Sequence, residues 1–349
     1  MRAVKRYTTI CSLSNEDDAM SMYCKIVIDT KGSDKGSEEI VKGAFLALQK
    51  NAELSVLLVG DREYISGRVA EQEESIRERV EILDAPEEVT NYDDPSVAVF
   101  KKTESSMMRS LAELSDRDEL FGMITAGNTG ALIAGAVRYL PAPQRVRPCL
   151  AAILPASDGS FTCLVDTGAT VDCTPSMLLH FARLGSELMS RMYGIEAPRI
   201  GLLSNGAEPT KGNKLVKETH VLLKEATDLN FIGNVEGNAA LSGVCDVLVC
   251  DGFAGNQVLK VSEGMATRLI TDMVRYAKKN SSNEIMQLVG HLMGVYDFSS
   301  LGGGIILGCK KPVIKTRGSS GAEAVANTAA MLMNMAANKA VFDKEKNNI

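Results

Sequence analysis

The sequence predicts a three-layer α/β fold on a mostly parallel sheet, and three observations carry that prediction. Short apolar runs such as Ile26-Val-Ile28 and Val247-Leu-Val249 lack polar alternation, as expected of strands covered on both faces. These runs repeatedly empty into loops of Gly, Asp, Asn and Ser, after which a helical pattern begins. Hydrophobic residues make up 45% of the 349 and aromatic residues only 5%, with no Trp, so Val, Ile, Leu, Ala and Met must build the interior.

Residues 1–24 are polar and patternless and read as a mobile extension, with Met20 or Met22 as alternative natural starts; residues 25–345 read as one α/β domain. Lys25-Ile-Val-Ile-Asp29 is the first strand. The polar glycine loop 29–34 follows, then a helix over Ser37–Lys50 with Ile40, Val41, Ala44 and Leu48 on one stripe. Strands at 55–60 and Val80–Asp84 flank a charged helical segment, and Asp93-Asp-Pro95 opens a helical stretch holding Lys101 and Lys102. Residues 121–125 form a strand that runs into Ala126-Gly-Asn-Thr-Gly-Ala131 and an apolar helix up to Leu140. The runs 150–154 and 161–165, turned at Ser157-Asp-Gly159, read as a hairpin, an antiparallel excursion in the sheet. Asp166-Thr-Gly-Ala-Thr-Val-Asp172 follows, and Pro175 begins the next helix.

The strand 200–204 leads through Asn205 and Lys211-Gly-Asn213 into a helix over 215–226. The run Cys245-Asp-Val-Leu-Val-Cys250 stops at Asp251-Gly-Phe-Ala-Gly-Asn256 and restarts as a helix. Residues 261–297 read as a helical pair, one stripe being Val261, Met265, Leu269, Met273 and Tyr276, the other Ile285, Leu288, Val289, Leu292 and Met293. These stripes exceed what the pair can bury on itself, so a partner subunit or a membrane surface is the expected cover. One more strand at 312–315 and an Ala/Met-rich helix ending near Lys339 close the chain.

A net charge of −6 argues against bulk attraction to nucleic acid or to an anionic membrane. The eight cysteines lack C-x-x-C spacing and sit mostly in apolar runs, as reduced core residues of a cytoplasmic protein do; the three histidines are far apart, and no metal or cofactor is expected. The opening residues have no signal-peptide core, and no apolar run reaches the ~18 residues of a membrane span.

In an open parallel sheet, loops at the carboxyl ends of strands gather into one ligand crevice. The loops 29–34, 126–130, 166–172, 204–213, 251–256 and 315–320 would supply it. Lys211, Lys315 and Arg317 suit an anion, while Asn128, Thr129, Gly130, Asp166, Gly168, Asp172, Asn213, Asp251, Gly255, Asn256, Ser319 and Ser320 supply polar groups and close backbone approach. A second reading stays open for several of these: Asp251 is also the ordinary N-cap of a strand-to-helix turn, the glycines and alanines around Asn128 also suit plain packing at a helix start, and Lys211 by spacing alone is a solvated lysine. No Ser-His-Asp order, nucleophile elbow or Walker lysine loop is present, and the loop 29–34 lacks the G-x-G-x-x-G of a dinucleotide fold.

Six ordered motifs carry a resemblance: Ala126-Gly-Asn-Thr-Gly-Ala-Leu132, Arg147-Pro148, Lys211-Gly-Asn213, Asn230-Phe-Ile-Gly-Asn-Val-Glu236, Asp251-Gly-Phe-Ala-Gly-Asn256, and Pro312-Val-Ile-Lys315 with Gly318-Ser-Ser320. Together they resemble the bacterial phosphate acyltransferase family, PlsX, over nearly the whole chain. The resemblance implies a phosphotransacetylase-like fold, a homodimer, and transfer of a fatty acyl group from acyl carrier protein to inorganic phosphate. The acyl phosphate product would serve phospholipid synthesis, with peripheral membrane contact through the helical pair. It makes Lys211 the charged catalytic group and Asn256 the group orienting phosphate or carbonyl. The chain departs from the family pattern at Thr30, Lys31, Ser33, Thr170, Thr174, Ser204, Arg317 and Gly321. A short-chain acyl donor, or a non-catalytic homologue that binds the carrier protein, therefore stays open.

Overall fold

A computed structural model describes residues 23–142, 146–296 and 303–338. Most of the expected N-terminal extension, position 297 of the helical pair and the expected end of the last helix at Lys339 lie outside them. The strands in chain order are β1 (Cys24–Asp29), β2 (Leu54–Gly60), β3 (Val80–Asp84), β4 (Leu120–Thr125), β5 (Cys149–Pro155), β6 (Phe161–Val165), β7 (Arg199–Ser204), β8 (Asn230–Glu236), β9 (Val247–Val249), β10 (Gly304–Leu307) and β11 (Val313–Lys315). The described residues form two compact units, one of those up to Pro148 together with those from Gly308 on, the other of those from Cys149 to Leu307.

In the first unit the strand order is β3-β2-β1-β4-β11, every pairing parallel. Ile26, Val27 and Ile28 of β1 and Val56 to Val59 of β2 are fully buried, the two-sided burial that their unbroken apolar runs encode. Edge strand β3 is instead half-exposed along its length. The helix Ser37–Lys50 buries Ile40, Val41, Ala44 and Leu48, the stripe expected from sequence. It packs on the last helix, Ala322–Ala337, where Gly43 is required: a Cβ there would come within 2.5 Å of Val325 Cβ. The helical stretch after Asp94 is two helices, Pro95–Lys101 and Ser106–Asp116. Ser105 ends the first with its backbone and side chain both bonded to Lys102 O.

In the second unit the order is β10-β5-β6-β9-β7-β8. The expected hairpin is present as β5 and β6, antiparallel from Ala151–Val165 to Pro155–Phe161. Strand β10 was not expected. It pairs antiparallel with β5 through Ile305, Ile306 and Leu307, a run too short to stand out beside the preceding glycines. The helix Pro175–Tyr193 lies on β6 and β9, with Gly185 letting Val247 and Val165 approach its backbone. The helical pair is Gly252–Lys279 with Asn283–Tyr296; the helix expected to restart after the Asp251 turn and the first member of the pair, expected from 261, are one continuous helix.

Six of the seven described cysteines are buried, and burial pushes the thiols of Cys163, Cys245 and Cys309 up to about 12. They remain protonated core atoms at neutral pH.

Candidate active site

In each unit three neighbouring parallel strands deliver their loops to the same sheet edge: β1, β4 and β11 in the first, β6, β9 and β7 in the second. The loops are therefore built separately, each by its own unit's hydrogen bonds.

In the second unit, the loop after β6 is organised by Asp166. Its carboxylate is sealed from solvent and accepts N–H bonds from Leu150 at 2.9 Å, Gly168 at 3.2 Å, Ala169 at 3.0 Å and Thr170 at 2.7 Å. Burial raises its pKa while those four N–H groups pull it down. Asp166 was expected to meet substrate; both its oxygens are occupied by N–H groups of its own loop and of Leu150, so it shapes the loop instead. Gly168 adopts φ +131° and faces Asn256, whose amide nitrogen donates to Thr167 O at 3.2 Å. Among the described residues this is the one hydrogen bond of the Asn256 side chain. Asp172 is exposed at the loop's end.

Asp251 caps the following helix, accepting from Ala254 N at 2.8 Å, and Gly252 N donates to Thr170 O at 2.8 Å, tying the loops after β6 and β9 together. Gly255 is a packing requirement rather than a ligand group, because a Cβ there would fall onto the Asp166 carbonyl.

The loop after β7 presents Lys211. Asn205 Oδ1 accepts from Gly212 N at 2.9 Å, Gly212 turns at φ +96°, and Asn213 caps the helix Lys214–Glu225 through Val216 N at 2.9 Å. The aliphatic stem of Lys211 lies over Gly206, where a Cβ would come within 2.7 Å of its Cγ. The residue is exposed, and among the described residues no ion pair includes its ammonium. Its neighbour Lys214 points into solvent, 3.8 Å from Glu218.

In the first unit, Asp29 was missed as an organiser although it ends a strand before a glycine loop, the same signal that singled out Asp166 and Asp251. Thr125 Oγ1 donates to Asp29 Oδ2 at 2.7 Å and accepts from Gly127 N at 3.1 Å, so the buried carboxylate sets the course of the Gly127–Asn128 backbone. Burial pushes the Asp29 carboxyl up to about 6, against the pull of Ser106, Thr125 and the Lys31 N–H. Asn128 caps the helix Thr129–Tyr139 through Ala131 N at 3.0 Å and reaches Thr90 O with its Nδ2. Thr129 is its first residue, and Gly130 lies against Pro95.

The loop after β11 is bonded to the one after β1. Gly318 O accepts from Asp34 N at 2.9 Å and Ser33 Oγ at 3.0 Å. Lys315 donates to Thr316 O at 3.0 Å, Arg317 is half-buried, Ser319 is exposed, and Ser320 is buried with its N–H on Arg317 O.

Residues 24–342 match the family described as fatty acid synthesis protein. The phosphate acyltransferase of Caldanaerobacter subterraneus subsp. tengcongensis is 39% identical over 324 residues, 90% of this chain and 94% of the relative's length. The chain belongs to the phosphate acyltransferase family. The Aquifex aeolicus phosphate acyltransferase is likewise 39% identical, over 87% of this chain and 90% of its own. Among solved structures, a phosphotransacetylase from Streptococcus pyogenes aligns with a TM-score of 0.59 at 16% identity, over 89% of this chain and 94% of its own. The family member described here thus has the phosphotransacetylase fold, in agreement with the expectation from its sequence.

Proposed function

We propose that this chain transfers a fatty acyl group from acyl carrier protein to inorganic phosphate, yielding acyl phosphate for phospholipid synthesis. A phosphate oxygen adds to the thioester carbonyl carbon, the carbonyl oxygen takes up negative charge, and collapse breaks the C–S bond. The carrier's thiolate leaves and takes a proton from water. Phosphate is the nucleophile, so the protein's task is to hold an anion and stabilise a second developing charge, with no covalent residue. The observation that carries this reading is Lys211: an exposed ammonium in no ion pair among the described residues, on a loop whose turn and helix start are fixed by Asn205, Gly212 and Asn213. Asn256 is the proposed orienting amide, beside Gly168.

Purified protein given acyl carrier protein thioesters and phosphate should form acyl phosphate, and no product across several chain lengths would refute the reading. Lys211→Met should lower the rate about 10²–10³-fold, the usual loss for one preorganised charge-stabilising group. Lys211→Arg recovers part of it, because a planar guanidinium does not reproduce a compact charge. Lys214→Met is the control and should change little. If Lys211→Met works at near-normal rate with saturating phosphate, the anion is held elsewhere, with Lys315 and Arg317 the next candidates.

The same reading makes the protein a cytoplasmic homodimer with the helix Gly252–Lys279 at its interface. Val261, Met265, Leu269 and Tyr276 on that helix are each more than half exposed, which supports an apolar partner. Among the described residues no helix is long and apolar enough to cross a membrane. Peripheral membrane contact is the second use this stripe would serve.

A further inference from the structure

The Lys211 loop is held to the sheet by groups that lie too deep to meet a ligand. Glu208 O, three residues before Lys211, accepts the Lys211 N–H at 3.0 Å and the Asn234 Nδ2 at 2.9 Å. Asn234 lies near the end of β8 and is 8% exposed. Its Oδ1 is 2.9 Å from His220 Nδ1, on the helix Lys214–Glu225 that the same loop starts.

The direction of this relay follows from the chemistry of its atoms. A carbonyl can only accept, so the nitrogen end of the Asn234 amide faces Glu208 O and the oxygen end faces the imidazole. His220 must then donate from Nδ1–H, which fixes its tautomer. Its ring is nearly buried and meets the Phe231 ring edge-on at 5.1 Å, which fixes its plane. Asn205 closes the loop on itself; Asn234 ties it to the sheet. Two buried polar side chains carry a desolvation cost that an apolar pair in the same space would avoid, so packing alone does not account for them.

We infer that His220 and Asn234 are positioning residues for the acyl transfer, fixing Lys211 through the Glu208 carbonyl. The inference rests on Lys211 being the charged group of the proposed site.

The test is a double-mutant cycle in the acyl phosphate assay. Asn234→Asp keeps the shape and the acceptor toward His220 but sets a carboxylate oxygen against the Glu208 carbonyl, two acceptors with no proton between them. It should lower the rate about 10²-fold, the order expected when a reacting group is misplaced by an ångström. In a Lys211→Met background the same change should cost less than about threefold, because the group it positions is gone. Equal losses in both backgrounds mean a role that does not pass through Lys211 and overturn the inference. Should Asn234→Asp not fold, as judged by far-UV circular dichroism and melting, the His220 pair carries the same comparison. His220→Leu removes the donor to Asn234, and His220→Asn, with a donor near the Nδ1 position, should recover most of the rate lost. Wild-type rates in Asn234→Asp and His220→Leu, with Lys211→Met inactive, sink the brace alone. Full activity in Lys211→Met sinks the lysine assignment itself.

Discussion

Asp29 and Asp166 are carboxylates at strand ends closed off from solvent, and burial raises the pKa of both. Asp166 is met by four N–H groups that oppose the rise, whereas Asp29 receives one N–H and hydroxyl donors and is pushed up to about 6. Unfolded, Asp29 would ionise near 3.8. Between those values the unfolded chain is charged while the folded one keeps its proton, so this group's contribution to stability falls as pH rises across the window and levels off above it. The fall is about 3 kcal/mol. Urea unfolding at pH 4 and pH 7 should show a change that is more negative in the native protein than in Asp29→Asn by roughly this amount, the other carboxylates titrating alike in both; equal changes would refute it. Asp166→Ala leaves four N–H groups without their acceptor and should cost at least about 3 kcal/mol in the same measurement.

At this scale the sequence is ambiguous for a physical reason. Asp251 was read as ligand or cap, Asn128 and Asn213 as ligands, and each proves to cap a helix. Both roles ask for a short polar side chain just before a helix, and only the hydrogen bond distinguishes them. His220 and Asn234 left no local signal, since their relation depends on a strand and a helix fourteen positions apart coming into register.

At the level of elements the reading from sequence was more secure, because strand and helix periods are written in runs of many residues. The hairpin and the first helix fell where the pattern put them, while β10, short and preceded by glycines, did not announce itself. The junction of β6 with the helix Gly252–Lys279 shows what a run of letters conceals: Gly255 gives way to the Asp166 carbonyl. Gly255→Ala should displace the helix start and cost roughly 1–3 kcal/mol as overpacking, read as a lowered melting temperature; an unchanged one would show that the helix shifts freely. On the same helix, Leu269→Glu should leave the far-UV circular dichroism of the folded chain little changed, since the residue is exposed on the protomer, yet abolish the proposed dimer in sedimentation. Dimers persisting in Leu269→Glu would move the interface elsewhere.

On the scale of the whole molecule, the first unit is discontinuous in sequence. Strand β11 is laid beside β4 and the last helix against Ser37–Lys50, with Glu39 accepting from Ala322 N at 3.1 Å and Lys50 meeting Glu323 at 2.8 Å. Those partners are separated by the about 160 residues of the second unit. A ribosome adding about 5–20 residues each second therefore holds the first unit incomplete for roughly 8–30 s, with one edge of β4 unpaired and the apolar face around Gly43 bare. Nascent chains stalled near residue 307 should be cut readily by protease within 24–148 and become resistant once residue 338 has left the exit tunnel. The last helix, which itself carries no candidate ligand group, is thus the piece whose arrival decides when the first half of the chain stops being a client of chaperones.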